Sequence, residues 1–149
     1  MVRISPDKQR KLRLRARDNL KKLDNLLSDP KAREEINELK NTFTECEVVY
    51  KVILSEYLSH KKKTVNQKQL KINMTQVKPA LKFAGYNFDD LLLQKIFGSE
   101  EKVGNRSVKK LRDALTHKPN QSCLNELKKR KTELYGCMNK FLQEIRSYK

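Results

Sequence analysis

The sequence predicts an all-α protein: an up-and-down helical bundle of four to six helices, with a long second helix and a long last one. Three observations lead there. Glycine and proline number only four each in 149 residues, too few turn residues for a chain of many short strands. From Ile36 the apolar side chains Ile36, Leu39, Phe43, Cys46, Tyr50, Ile53 and Tyr57 recur at alternating spacings of three and four, the period of one helical face. A second stripe of the same kind runs through Leu124, Leu127, Leu134, Met138, Phe141 and Ile145.

Each element follows in order. Pro6 is suited to open a first helix, with residues 1–5 as a disordered lead. Leu12, Ala16, Leu20, Leu23 and Leu27 then share one face, and Ser28-Asp29-Pro30 ends that helix and starts the next. The second helix carries the seam from Ile36 to Tyr57 and meets a polar break at His60–Lys63. Residues 64–73 fit a short helix or a loop. Thr75 is placed to cap a helix with Val77, Ala80, Leu81 and Ala84 inward, Pro79 near its first turn and Gly85 in the left-handed position after it. Asn87 is placed to cap a further short helix from Phe88 to Phe97, ended by Gly98. Ser107 caps a helix through Val108, Leu111 and Leu115, which Pro119 limits. The last helix spans about 121–147, with Lys131 where an apolar residue would fit the rhythm and the basic residues on outer faces. The length suits one domain, residues 1–149.

Lysine and arginine total 34 against 18 acidic residues, a net charge of +16 that is spread evenly between the two halves. Residues 1–22 are the densest stretch, with nine basic and two acidic side chains. An excess of this size draws polyanions over long range, and nucleic acid is the commonest polyanion in a cytosol. No apolar run is long enough for a membrane span, and the first residues lack the apolar core of an export signal, so a cytoplasmic location is expected. The basic first helix has no Trp or Phe on its apolar face, which argues against a membrane surface. Cys46, Cys123 and Cys137 are odd in number and form no CxxC pair, so neither a disulfide framework nor a zinc site is expected. No phosphate-cradling glycine loop, HExxH or carboxylate cluster suggests a cofactor or metal.

The chemistry concentrates in residues 109–118. On a helix Asp113 and His117 are four apart, so the carboxylate can orient the imidazole. Arg112 lies about one turn back, with a guanidinium fork that suits a phosphate. Lys109, Lys110 and Lys118 surround them, and Lys128, Lys129 and Arg130 form a second basic run suited to nucleic acid. His117 as general base on a ribose 2′-hydroxyl and Arg112 as stabiliser of the growing phosphate charge make a kit for cutting RNA without a metal. The departing 5′-oxygen needs a proton too, which a second His117 across a two-fold dimer would supply. His60, at the end of the long second helix, reads as a favourable cation for the helix dipole.

The phrase Ser107-Val108-Lys109-Lys110-Leu111-Arg112-Asp113-Ala114-Leu115-Thr116-His117 resembles the signature of the HEPN superfamily (higher eukaryotes and prokaryotes nucleotide-binding domain). That signature is Arg, a polar residue, three to five further residues, then His, and Arg112, Asp113 and His117 match its shortest form. The resemblance implies a bundle of four or five helices with the motif ahead of a final long helix. It also implies a metal-independent endoribonuclease that acts as a homodimer, often a toxin or phage-defence effector with a cognate antitoxin. Arg112 and His117 would be its catalytic pair and Asp113 the polar orienting residue. Two other readings are a basic bundle that binds nucleic acid without cutting it, and an interaction module whose helical seam docks a protein partner.

Overall fold

The computed structural model describes residues 3–61, 70–117 and 121–147. Among them are six helices and no strand: α1 (Pro6–Ser28), α2 (Pro30–His60), α3 (Met74–Phe83), α4 (Asp90–Phe97), α5 (Val108–His117) and α6 (Gln121–Ser147). The all-α bundle with long second and last helices is as the sequence predicts. Helices α2 and α6 are its long elements; α2 packs against α3, α5 and α6, and α4 lies between α3, α5 and α6. No described helix is long and apolar enough to cross a membrane.

Helix starts depend on which side chain reaches a free N–H, and here the structure corrects several boundaries. Ser5 caps α1, its hydroxyl accepting from the Lys8 N–H at 3.2 Å. Asp29 caps α2 through the Lys31 N–H. Asn73, not Thr75, caps α3, accepting from the Thr75 N–H at 3.1 Å. Pro79 therefore lies inside α3 rather than at its edge. The chain enters α4 through Asp89, two residues beyond Asn87, with no side-chain cap. Gly85 adopts φ 91°, the left-handed position that the sequence assigned to it. Gly98 ends α4 at φ −67°, and its glycine is required for a different reason: an added Cβ would run into the Gln94 carbonyl oxygen.

The core stripe on α2 is Ala32, Ile36, Leu39, Phe43, Cys46, Tyr50, Leu54 and Leu58. It follows the predicted seam to Tyr50 and then shifts by one residue, so that Ile53 and Tyr57 are only half-buried. A straight helix of 3.6 residues per turn drifts about 20° per heptad against a strict seven-residue repeat, and over 31 residues the drift carries Leu54 and Leu58 inward. On α6 the buried set includes Cys123 and Leu142 and also Glu126. Lys131 lies at the margin of the core, its ammonium 5.9 Å from the Tyr135 ring.

Aromatic rings join the layers. Phe97 at the end of α4 meets Phe43 and Tyr50 of α2 at centroid distances of 6.0 and 5.3 Å, and Phe141 of α6 edge-on at 5.5 Å. Helix α1 contacts α2 but contributes no described side chain to this core. All its described side chains are exposed, Leu12 at 52% and Leu20 at 59%; the side chains of Leu23 and Leu27 lie outside the described set.

Phe97→Ala removes the ring that three others share and is expected to cost about 3–5 kcal/mol in urea unfolding, whereas Leu20→Ala changes stability by less than about 0.5 kcal/mol. The buried Tyr50 hydroxyl has no hydrogen-bond partner among the described residues. Tyr50→Phe is therefore expected to raise stability by about 1 kcal/mol in the same measurement.

Candidate nucleic-acid site on the fifth helix

Helix α5 is set by its first turn and its inner face. The Ser107 hydroxyl donates to the Gly98 carbonyl at 2.7 Å and accepts from the Lys110 N–H at 3.2 Å, so one buried side chain joins the end of α4 to the start of α5. Val108, Leu111 and Leu115 bury the inner face. The polar residues are thereby turned outward along α2.

Arg112 is only partly exposed and is held on three sides. Its guanidinium carbon lies 4.6 Å from the centroid of the Phe43 ring. Its Nε and Nη2 donate to Asp113 Oδ1 at 3.0 and 2.9 Å. Its Nη1 is 3.5 Å from Glu47 of α2, which Lys51 approaches at 3.9 Å. The expected Asp113–His117 pair is not formed: the Asp113 carboxylate orients Arg112 instead. The guanidinium offers two donors to the neighbouring carboxylate, and that charge-assisted pairing engages Asp113 Oδ1. His117 is the exposed last residue of α5 and makes no hydrogen bond or ion pair among the described residues. Five helical positions place it about 140° around the axis from Arg112, so within one chain the two side chains diverge.

The predicted basic contacts do not share one environment. Lys109 donates to the Ile72 carbonyl at 3.4 Å, and Lys110 pairs with Glu101 at 3.0 Å. Lys128 and Lys129 are exposed on α6. Lys118 lies outside the described residues. Arg130, expected on the outer face, is instead one of the least exposed charges. Its Nη1 donates to Glu126 and to the Arg106 carbonyl, both at 2.7 Å, and its Nε donates to Glu133 at 3.3 Å.

That arginine belongs to a cluster around Glu126, which is 5% exposed. One carboxylate oxygen accepts from the Gly104 N–H and Arg106 Nη1, the other from the Arg106 N–H and Arg130 Nη1, all at 2.7–3.0 Å. Gly104, at φ 90°, makes the turn that aims its N–H inward. The sequence signal was present but faint: Glu126 and Arg130 are four apart on one helix face, inside the stripe that also holds Cys123, Leu127 and Leu134. At the rim, Lys95 hydrogen-bonds Glu133 and holds its carboxyl below the ordinary range. A lowered folded-state value means that this rim contact is present at neutral pH and is lost as pH falls through that value.

The remaining candidates are accounted for structurally. His60 Nδ1 lies 3.2 Å from the Glu56 carbonyl oxygen, and its ring packs on Phe83. Burial pushes the Cys46 thiol up to about 12 and raises Cys123 and Cys137 as well, so none is a ready nucleophile at neutral pH. Among the described residues no group of three or more His, Cys, Asp or Glu side chains is placed to hold a metal ion.

Glu126→Gln leaves two arginines facing an uncharged side chain and is expected to cost about 3–5 kcal/mol in chemical denaturation. The loop from Gly98 to Ser107 is expected to lose amide protection before the rest of the bundle, as read by hydrogen exchange.

No family model matches this chain, and neither the curated proteins nor the solved structures include one similar enough to indicate kinship.

Proposed function

We propose that the protein is a metal-independent endoribonuclease of the HEPN type, acting in the cytoplasm as a two-fold dimer, in the manner of a toxin or phage-defence effector. The observation that carries this reading is the pairing on α5 of a held guanidinium with an unengaged imidazole: Arg112 is braced by Phe43, Glu47 and Asp113, and His117 faces solvent on the same short helix. Because the two side chains diverge within one chain, this reading calls for a dimer. Two α5 helices related by a two-fold axis would present Arg112 of each copy beside His117 of the other.

In that arrangement one His117 takes the proton from a ribose 2′-hydroxyl as its oxygen attacks the adjacent phosphorus. Arg112 donates to the non-bridging oxygens as their charge grows. The bond from phosphorus to the 5′-oxygen breaks, and His117 of the second copy gives that oxygen its proton. The products are a 2′,3′-cyclic phosphate and a 5′-hydroxyl. Asp113 acts here through Arg112, as a positioning residue. Two carboxylates share the Arg112 charge, so the pull on the substrate comes from the wider field of a chain carrying +16. A toxin of this kind would need a neutralising antitoxin as its partner. A second reading, a basic bundle that binds RNA without cutting it, is favoured by the engagement of Arg112 with Glu47 and Asp113.

Incubation with RNA in EDTA separates the two readings. The expected result is cleavage with 2′,3′-cyclic phosphate ends. His117→Ala is expected to lower the rate by about 10²–10⁴-fold with an unchanged melting temperature, since the side chain is exposed. Arg112→Lys, which keeps the charge and loses the fork, is expected to fall by at least tenfold. Equal cleavage by wild type and His117→Ala would refute the proposed site.

A further inference from the structure

The arginines are used in two different ways. In the bundle Arg106, Arg112, Arg130 and Arg146 each stand against a carboxylate of their own chain, while Arg33 of α2 is exposed and has no ion pair among the described residues. In α1 Arg10, Arg13 and Arg15 have no ion pair or hydrogen bond among the described residues, and Arg17 meets only the neighbouring Asp18, at 3.9 Å. Half of the ten arginines in the chain lie between residues 3 and 17. Every described side chain of α1 is exposed, so the fold of this chain covers none of this charge.

The spacing arranges it. Arg10, Arg13, Arg17 and Lys21 fall within about 80° of arc and extend about 16 Å along the helix. Lys8, Lys11, Arg15 and Lys22 form a second row on the far side of a stripe that holds Leu12, Ala16 and Leu20. Arginine forks match phosphate oxygens two donors at a time, which favours a phosphodiester chain as the occupant. The stripe offers only leucine and alanine for insertion, too little apolar surface to favour a bilayer.

We propose that α1 is an arm that grips the RNA backbone through the row Arg10, Arg13, Arg17 and Lys21, independently of base sequence and away from α5. RNA as the polyanion rests on the ribonuclease reading; the binding itself does not require cleavage.

The test uses full-length protein carrying His117→Ala, so that binding is read whether or not the wild type cuts RNA. Fluorescence anisotropy with a labelled single-stranded RNA is recorded from low to moderate salt. The triple variant Arg10→Gln, Arg13→Gln, Arg17→Gln is expected to bind at least about tenfold more weakly, with the slope of log affinity against log salt reduced by about 2. Its helical circular dichroism should be unchanged, because the altered side chains face solvent and glutamine is a good helix former. The matching triple lysine variant should keep the slope. The pair Lys128→Gln, Lys129→Gln should change affinity by less than the arginine triple. Unchanged affinity and slope in the glutamine triple would overturn the proposal. So would an equal loss in the Lys128 and Lys129 variant, or α1-dependent binding to phosphatidylserine vesicles with RNA binding unaffected.

Discussion

Four hydrogen bonds converge on the Glu126 carboxylate, and the placement of the candidate site follows from them. A buried carboxylate is costly unless each oxygen is satisfied. Here the satisfaction comes from two arginine side chains and from backbone N–H groups of the loop between α4 and α5. The same contacts that neutralise Glu126 therefore tie that loop to α6. Ser107 stands at the end of the loop, joined to Gly98, and sets where α5 begins. Moving Glu126 would move the first turn of α5, and with it the helix that carries Arg112 and His117.

The rings around Phe97 serve the other side of the same design. Phe43 belongs at once to the core, through Phe97, and to the site, through the guanidinium above it. The face of an aromatic ring is negative, so a half-buried arginine gains both apolar contact and charge stabilisation there. This is why Arg112 is held rather than free to swing. Under the proposed ribonuclease reading that fixed position would supply a preorganised charge that acts without rearrangement; under the binding reading the same contacts make Arg112 a structural arginine. The imidazole of His117 has no such second employment among the described residues, and it is the group on which the two readings divide.

Charge in this molecule separates by neighbourhood. Arg106, Arg112 and Arg130, at a loop end or half-buried on a helix, are paired with carboxylates of the same chain and contribute to its shape. The arginines of α1 are exposed, with only Arg17 meeting a carboxylate among the described residues, and they contribute to the field. Like charges along one helix repel, so an isolated α1 with this composition gains stability when a polyanion or counterions gather on it.

The sequence by itself determined the helices, the inward faces of the long ones up to Tyr50, the capping role of Ser107 and the position of Arg112, Asp113 and His117 on one short helix before the last. These follow from local chemistry: periodicity, capping oxygens and turn residues act within a few positions of the chain. The 3.6-residue period of α2, accumulated over its length, puts Leu54 and Leu58 in the core in place of Ile53 and Tyr57, and the tertiary structure decided the rest. It decided that Arg130 is an internal brace, because its partners Arg106 and Glu126 meet only when the loop folds onto α6. It decided that Asp113 serves Arg112, because the guanidinium is brought over Phe43 and Glu47 of a distant helix and draws the neighbouring carboxylate with it. And it left Leu12, Ala16 and Leu20 of α1 exposed, although their spacing is that of a buried face, because periodicity marks a face that can be covered and only packing supplies the cover.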